Sequence, residues 1–189
     1  MADRLRGAAT FAVLEAQRAA LLADLDGWPT AALAHRPAPD AWTAPEVLDH
    51  LVRSERGILA EVRRNLAAPH PRGLRDRLGC AFIDRVFRTD RRVRAPAAVA
   101  ARVAPAAGAD LAAVRAEWDA ARAELGGFLA GVPDLRPAQQ RDGVFRHPVA
   151  GWMGVPDVLR FFRVHVHHHA FQLARLRAGA GAAGASAPA

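Results

Sequence analysis

The chain has 189 residues, half of them apolar, enough for one domain with a core of its own. Its 26 basic residues are all arginine and outweigh 19 acids to give a formal charge of +7, but they form no single run and no aromatic residues interleave with them, which argues against specific nucleic-acid recognition. One cysteine, Cys80, excludes an internal disulfide and a thiolate zinc cluster. No stretch carries a leader-peptide pattern or the ~18 apolar residues of a membrane span, so the expectation is a cytoplasmic protein with no membrane partner.

Helical periodicity marks four segments. The first runs from about Arg4 to Asp26, with Phe11, Leu14, Leu21, Leu22 and Leu25 at intervals of three, four and seven, and Gly27 and Pro29 end it. The second has the clearest start: Thr43 as N-cap, Pro45 in the first turn and Glu46 three residues after the cap form a capping box, with Trp42 and Val47 as a hydrophobic staple. Its stripe of Val47, Leu48, Leu51, Val52, Ile58, Leu59 and Val62 continues to about Leu66, before Pro69 and Pro71. About forty residues then intervene, including GLRDRLGCAFIDRVF at 73–87, which reads as a short extra helix. The third segment, about Asp110 to Gly131, spaces Leu111, Val114, Trp118, Leu125, Phe128 and Leu129 at near-heptad intervals. The fourth, about Val155 to Arg177, carries Val158, Leu159, Phe162, Val166, Leu173 and Leu176 on one side.

No alternating run is long enough for a strand, so the expected class is all-α. Short links force neighbouring helices antiparallel, whereas a long connection lets them run parallel. The expected architecture is therefore a four-helix bundle over residues 1–178 in up-down-down-up order, with the long crossover between helices 2 and 3. The Ala/Gly-rich remainder, 179–189, is expected to be a disordered tail.

The fourth segment contains HVHHHAFQ, residues 165–172. At about 100° per residue, His165 and His169 lie about 40° apart, one turn from each other on the face of Phe162, Leu173 and Leu176. His167 falls nearly opposite, toward solvent, and His168 between the two directions. Two imidazoles at i and i+4 suit a divalent metal but need a third donor. His35 and His70 sit in Pro-containing loops and read as exposed. His50 lies one turn beyond the capping box on a rigid helix, at the Ser54 and Glu61 edge of its stripe, which makes it an edge residue and not a core histidine. Spacing alone leaves a metal triad of His50, His165 and His169 and a bland surface reading equally open.

Several other chemistries are excluded by absence. The chain has no pair of Glu-x-x-His motifs for a di-metal carboxylate centre, no HExxH, no GxSxG and no P-loop. Cys80 lacks any nucleophile motif and reads as an incidental thiol. Glu46, Asp49 and Glu55, close to His50 in sequence, read as capping or solvated helix charges, and no catalytic residue is assigned.

WTAPEVLDHL at 42–51, HPVAGWMGVPDVLRFFRVH at 147–165 and the HxxxHxxQ pattern of His165, His169 and Gln172 together resemble the DinB-like superfamily, including its YfiT-like metal-dependent hydrolases. The resemblance extends over the chain to about Arg177. It implies a four-helix bundle and a divalent transition metal, commonly nickel or zinc, bound by His50, His165 and His169, with Gln172 as a supporting residue and not a ligand. It further implies a metal-dependent thiol S-transferase or hydrolase acting on a small molecule, in some members with a low-molecular-weight thiol, and frequent homodimers. A non-catalytic, stress-associated bundle with a structural metal is the alternative. The chain departs from the family pattern at Ala150, where an aromatic residue is usual, and in the additional His167 and His168.

Overall fold

The computed structural model describes residues 2–93, 96–132 and 141–185. These residues are mostly helical: α1 (Ala2–Asp26), α2 (Thr30–Leu33), α3 (Ala44–Asn65), α4 (Leu74–Phe87), α5 (Ala97–Val103), α6 (Leu111–Gly131) and α7 (Val155–Ala185). Between α6 and α7 lie two short antiparallel strands, β1 (Phe145–His147) and β2 (Gly151–Met153). Among the described residues no helix is long and apolar enough to cross a membrane.

The four long helices are the four periodic segments of the sequence. Packing joins α3 to α6 and α7, and α1 to the same two helices. The predicted capping chemistry starts α3, with Glu46 accepting from the Thr43 N–H at 2.8 Å. Asp110 caps α6 by accepting from the Ala113 N–H. Two apolar clusters fill the interior. One gathers Val47, Leu48, Leu51, Val114, Trp118, Val166, Leu173 and Leu176. The other gathers Leu14, Leu59, Val62, Leu125, Phe161 and Phe162 with Ile83 and Phe87 of α4 and the hairpin residues Phe145 and Met153.

A buried charged group also joins α1, α3 and α6. Arg122 and Glu55, 2 % and 4 % exposed, meet at 2.7 Å. Trp118 Nε1 donates to the other Glu55 oxygen at 3.0 Å, and Glu15 of α1 lies 3.5 Å from Arg122. Burial pushes the Glu55 carboxyl upward, opposed by Arg122 and Trp118.

The structure corrects the sequence reading at four places. The strands were not expected because three residues cannot display an alternation. They are fixed instead by tertiary contacts: Asp76 of α4 accepts from the Trp152 N–H, and Gly151 takes φ +79°, where an added Cβ would meet that carboxylate at 2.3 Å. Asp49 and Glu55, read as solvated, are buried, and Glu46 is both cap and buried ligand of the crossover. His50 is buried as well. Finally, the last helix runs through the Ala/Gly-rich stretch to Ala185, with Ala180 packed on the second cluster, alanine being the strongest helix former; residues 186–189 of the expected tail lie outside the described residues.

Helix α4 sits against the hairpin because residue 79 has no side chain: a Cβ there would stand 2.3 Å from Ala150 O. Gly79→Ala is expected to lower unfolding free energy by about 1–3 kcal/mol in denaturant melts, since backbone on both sides prevents relief. An unchanged midpoint would show that α4 shifts freely.

Candidate metal centre

Helix α3 holds His50 on its polar edge, and α7 holds His165 and His169 one turn apart. All three are buried, at 8 %, 7 % and 7 % exposure. Their Nε2 atoms converge: His165 Nε2 lies 3.3 Å from that of His50 and 3.1 Å from that of His169, and one nitrogen from each ring falls within 4.8 Å of the others. Four ligands at the ~2.0–2.1 Å zinc–nitrogen distance stand about 3.3 Å apart in a tetrahedron, so the two short separations fit two edges of such a shell.

Second contacts fix the tautomers of the outer two rings. Val103 O, at the end of α5, can only accept, so His50 Nδ1 carries the proton of that 2.8 Å bond. Gln172 Oε1 does the same for His169 Nδ1 at 2.9 Å. Both Nε2 atoms are thereby left as lone-pair donors, as metal-ligating histidines require. His165 differs: among the described residues its buried Nδ1 has no hydrogen-bond partner, and the ring packs on Phe161 (centroids 5.1 Å apart, 17°) and Phe87 (5.8 Å, 29°). Three lone pairs at these separations repel unless a proton or a cation lies between them. A proton on His165 Nε2 or a divalent ion would satisfy the cluster.

Electrostatics keeps the donors available. Burial, reinforced by the neighbouring imidazoles, holds His165 well below the ordinary histidine range and His169 at about 3, and burial lowers His50 too. Neutral imidazole is the ligating form.

Trp42, just before α3, and the end of α5 close the site from outside, which is why an edge histidine is buried. Trp42 lies 4.9 Å from the His50 ring. Three α3 side chains then fasten the end of α5 and the chain after it: His50 to Val103 O, Asp49 accepting from the Ala106 N–H at 2.6 Å, and Glu46 accepting from the Gly108 N–H at 3.1 Å. Burial alone would raise the Glu46 carboxyl, but bonds from Arg36, Thr43 and Gly108 outweigh it and hold the group at about 2.

The remaining histidines separate as follows. His167 is exposed, as its helical position predicts. His168 is buried on Phe87 (4.7 Å, 21°) and does not join the convergent group. His70 is exposed but stacks on Trp152 at 3.9 Å, and His35 is half-buried against Gly179. Sequence reasoning missed His147. Its Nδ1 accepts from the Val149 and Ala150 N–H groups, and its ring meets Phe161, the residue stacked on His165. It also missed Val103, because a backbone acceptor leaves no signature in a side-chain motif.

With the geometry in view, the sequence profile of the DinB superfamily matches residues 13–173, a span that includes all three convergent histidines. The chain belongs to the DinB superfamily. No match was found among curated proteins or solved structures. The three-histidine group and membership of the DinB superfamily are together compatible with a metal-dependent protein.

The buried histidines set a pH dependence. Burial places His147 at about 4 and His169 at about 3, below the unfolded value of 6.5. Below pH 6.5 the unfolded chain takes up protons that the folded chain refuses, so stability is complete above 6.5 and falls as pH drops toward the folded values. Chelator-treated protein is expected to lose ~2 kcal/mol between pH 7 and pH 5 for each histidine that stays neutral. Denaturant melts at the two pH values measure this, and equal unfolding free energies would contradict it.

Proposed function

We propose that this protein is a metal-dependent enzyme of the thiol S-transferase or hydrolase type, built on a four-helix bundle in up-down-down-up order, in which His50, His165 and His169 hold one divalent transition metal, nickel or zinc. The observation that carries the reading is the convergence of three Nε2 atoms whose outer two tautomers are set by Val103 and Gln172. A metal with three neutral ligands keeps its full charge and an open position, which lowers the pKa of a bound water or thiol toward neutrality. The protein's part is to keep the imidazoles unprotonated, to orient them through α3 and α7, and to screen them from bulk water with Trp42, Phe87 and Phe161. The substrate is a small molecule, the co-substrate a low-molecular-weight thiol or water, and the working form a cytoplasmic homodimer.

Burial of all three rings favours one second reading, a closed structural metal in a non-catalytic bundle. Elemental analysis of untagged protein tests the shared premise, with about one nickel or zinc per chain expected. Cobalt-loaded protein titrated with a small thiol separates the readings. A sulfur-to-cobalt charge-transfer band supports the enzyme, whereas an unchanged spectrum supports the structural site. No bound metal, and no thermal shift on adding nickel or zinc, would remove both.

A further inference from the structure

Helix α4 buries Cys80, Ile83 and Phe87 against the body and turns a second apolar row outward. Leu74, Leu78 and Phe82 are 73 %, 62 % and 57 % exposed. They stand at i, i+4 and i+8, so they form one ridge spanning about 80° of the helix. Contiguous exposed apolar side chains of this size mark a surface that meets something. Val149, exposed at the tip of the hairpin, lies in the turn that packs on α4 at Gly79.

The same outward half carries exposed Arg75, Arg77 and Arg85, within about 100° of the ridge. Among the described residues none of these guanidiniums forms an ion pair or a side-chain hydrogen bond. The acids of α4 make their hydrogen bonds elsewhere, although the Asp76 charge also attracts Arg75: Asp76 accepts from the Gly73 and Trp152 N–H groups, and Asp84 from both nitrogens Nε and Nη2 of Arg88.

We propose that this face of α4 docks on an anionic lipid surface, with Leu74, Leu78 and Phe82 entering the interface and the three arginines meeting phosphate headgroups. Charge decides against a second copy, because pairing two such faces brings six arginines together with no free acid between them. Area decides against a protein partner: three apolar side chains on a convex ridge fall well short of the ~800 Å² per partner of a specific protein interface. A lipid surface has no such minimum and no shape requirement. It supplies apolar depth beside bidentate acceptors suited to guanidinium, the arrangement in which long cationic side chains rim an inserted apolar row. The lack of a spanning helix is no obstacle, since α4 lies along the surface, and the formal charge of +7 adds long-range attraction.

Co-sedimentation of the full chain with vesicles tests this. Binding is expected to vesicles of equal parts phosphatidylglycerol and phosphatidylcholine at low salt, and not to phosphatidylcholine alone. Leu78→Ser and Phe82→Ser are each expected to weaken it about tenfold, with thermal melts unchanged because both side chains are exposed. Arg77→Gln with Arg85→Gln is expected to weaken it and flatten its salt dependence. Failure to bind anionic vesicles overturns the proposal. Full binding by the Leu78→Ser, Phe82→Ser double variant also overturns it, assigning the attraction to net charge. A dimer in sedimentation that Leu78→Ser dissociates gives the face to a second copy instead.

Discussion

Replacing His50 or His169 by alanine is expected to lower nickel or zinc affinity by at least ~100-fold, and Gln172→Ala by about 10–100-fold, measured by competition with a chromogenic chelator. The first two variants each remove one of three convergent nitrogens. The third leaves all three in place but removes the acceptor that keeps the His169 proton on Nδ1 and its lone pair on Nε2. The ordering separates a metal centre from a cluster of buried rings: packing alone predicts no hierarchy between ligand and acceptor. His165 gives a spectroscopic companion. Without metal a proton on its Nε2 would lie between two lone pairs, and a metal held by the three rings would need that nitrogen free, so the His165 ring nitrogen shifts should exchange character on titration while those of His50 and His169 keep theirs. Variants with unaltered affinity, or a His165 tautomer indifferent to metal, would refute the assignment.

Arg122→Ala is expected to destabilise the fold by about 3–5 kcal/mol. Among the described residues the guanidinium is the only cation against Glu55 in a buried layer between the apolar clusters, and its loss strands a carboxylate that keeps, among those residues, only Trp118 Nε1. Because burial already raises the Glu55 carboxyl, protonation is the variant's remaining remedy. The deficit relative to the parent should therefore shrink as pH falls and widen as it rises. A double variant, Glu55→Gln with Arg122→Leu, keeps an acceptor for Trp118 and is expected to regain most of the loss. Denaturant melts across pH measure all three, and a deficit below 1 kcal/mol would place water, not a dry ion pair, in that layer.

The long helices and the two histidines of α7 could be read from sequence because their information is local: apolar intervals, a capping box and an i, i+4 spacing each lie within one element. His50 was legible as a candidate only through its own helix, and its burial was not, since a helical wheel contains nothing about Trp42 or the end of α5 folding over it. The same limit applies to Asp49 and Glu55, whose partners Ala106 and Arg122 are 57 and 67 residues away. The hairpin was missed because Asp76, His147 and Gly151 hold three-residue strands that carry no period of their own. Phe87 and Phe161 carry no site signal in the sequence, and only the folded chain shows both rings packed against the His165 imidazole and against each other.

The fastening of residues 103–108 to Glu46, Asp49 and His50 couples the order of that stretch to the state of the centre. Whatever steadies the His50 ring also holds its acceptor, and by reciprocity whatever loosens that acceptor weakens the grip on the ring's ligand. The amides of Ala106 and Gly108 therefore act as remote gauges: deuterium uptake there should slow when the site fills, reporting occupancy without a probe attached to any histidine.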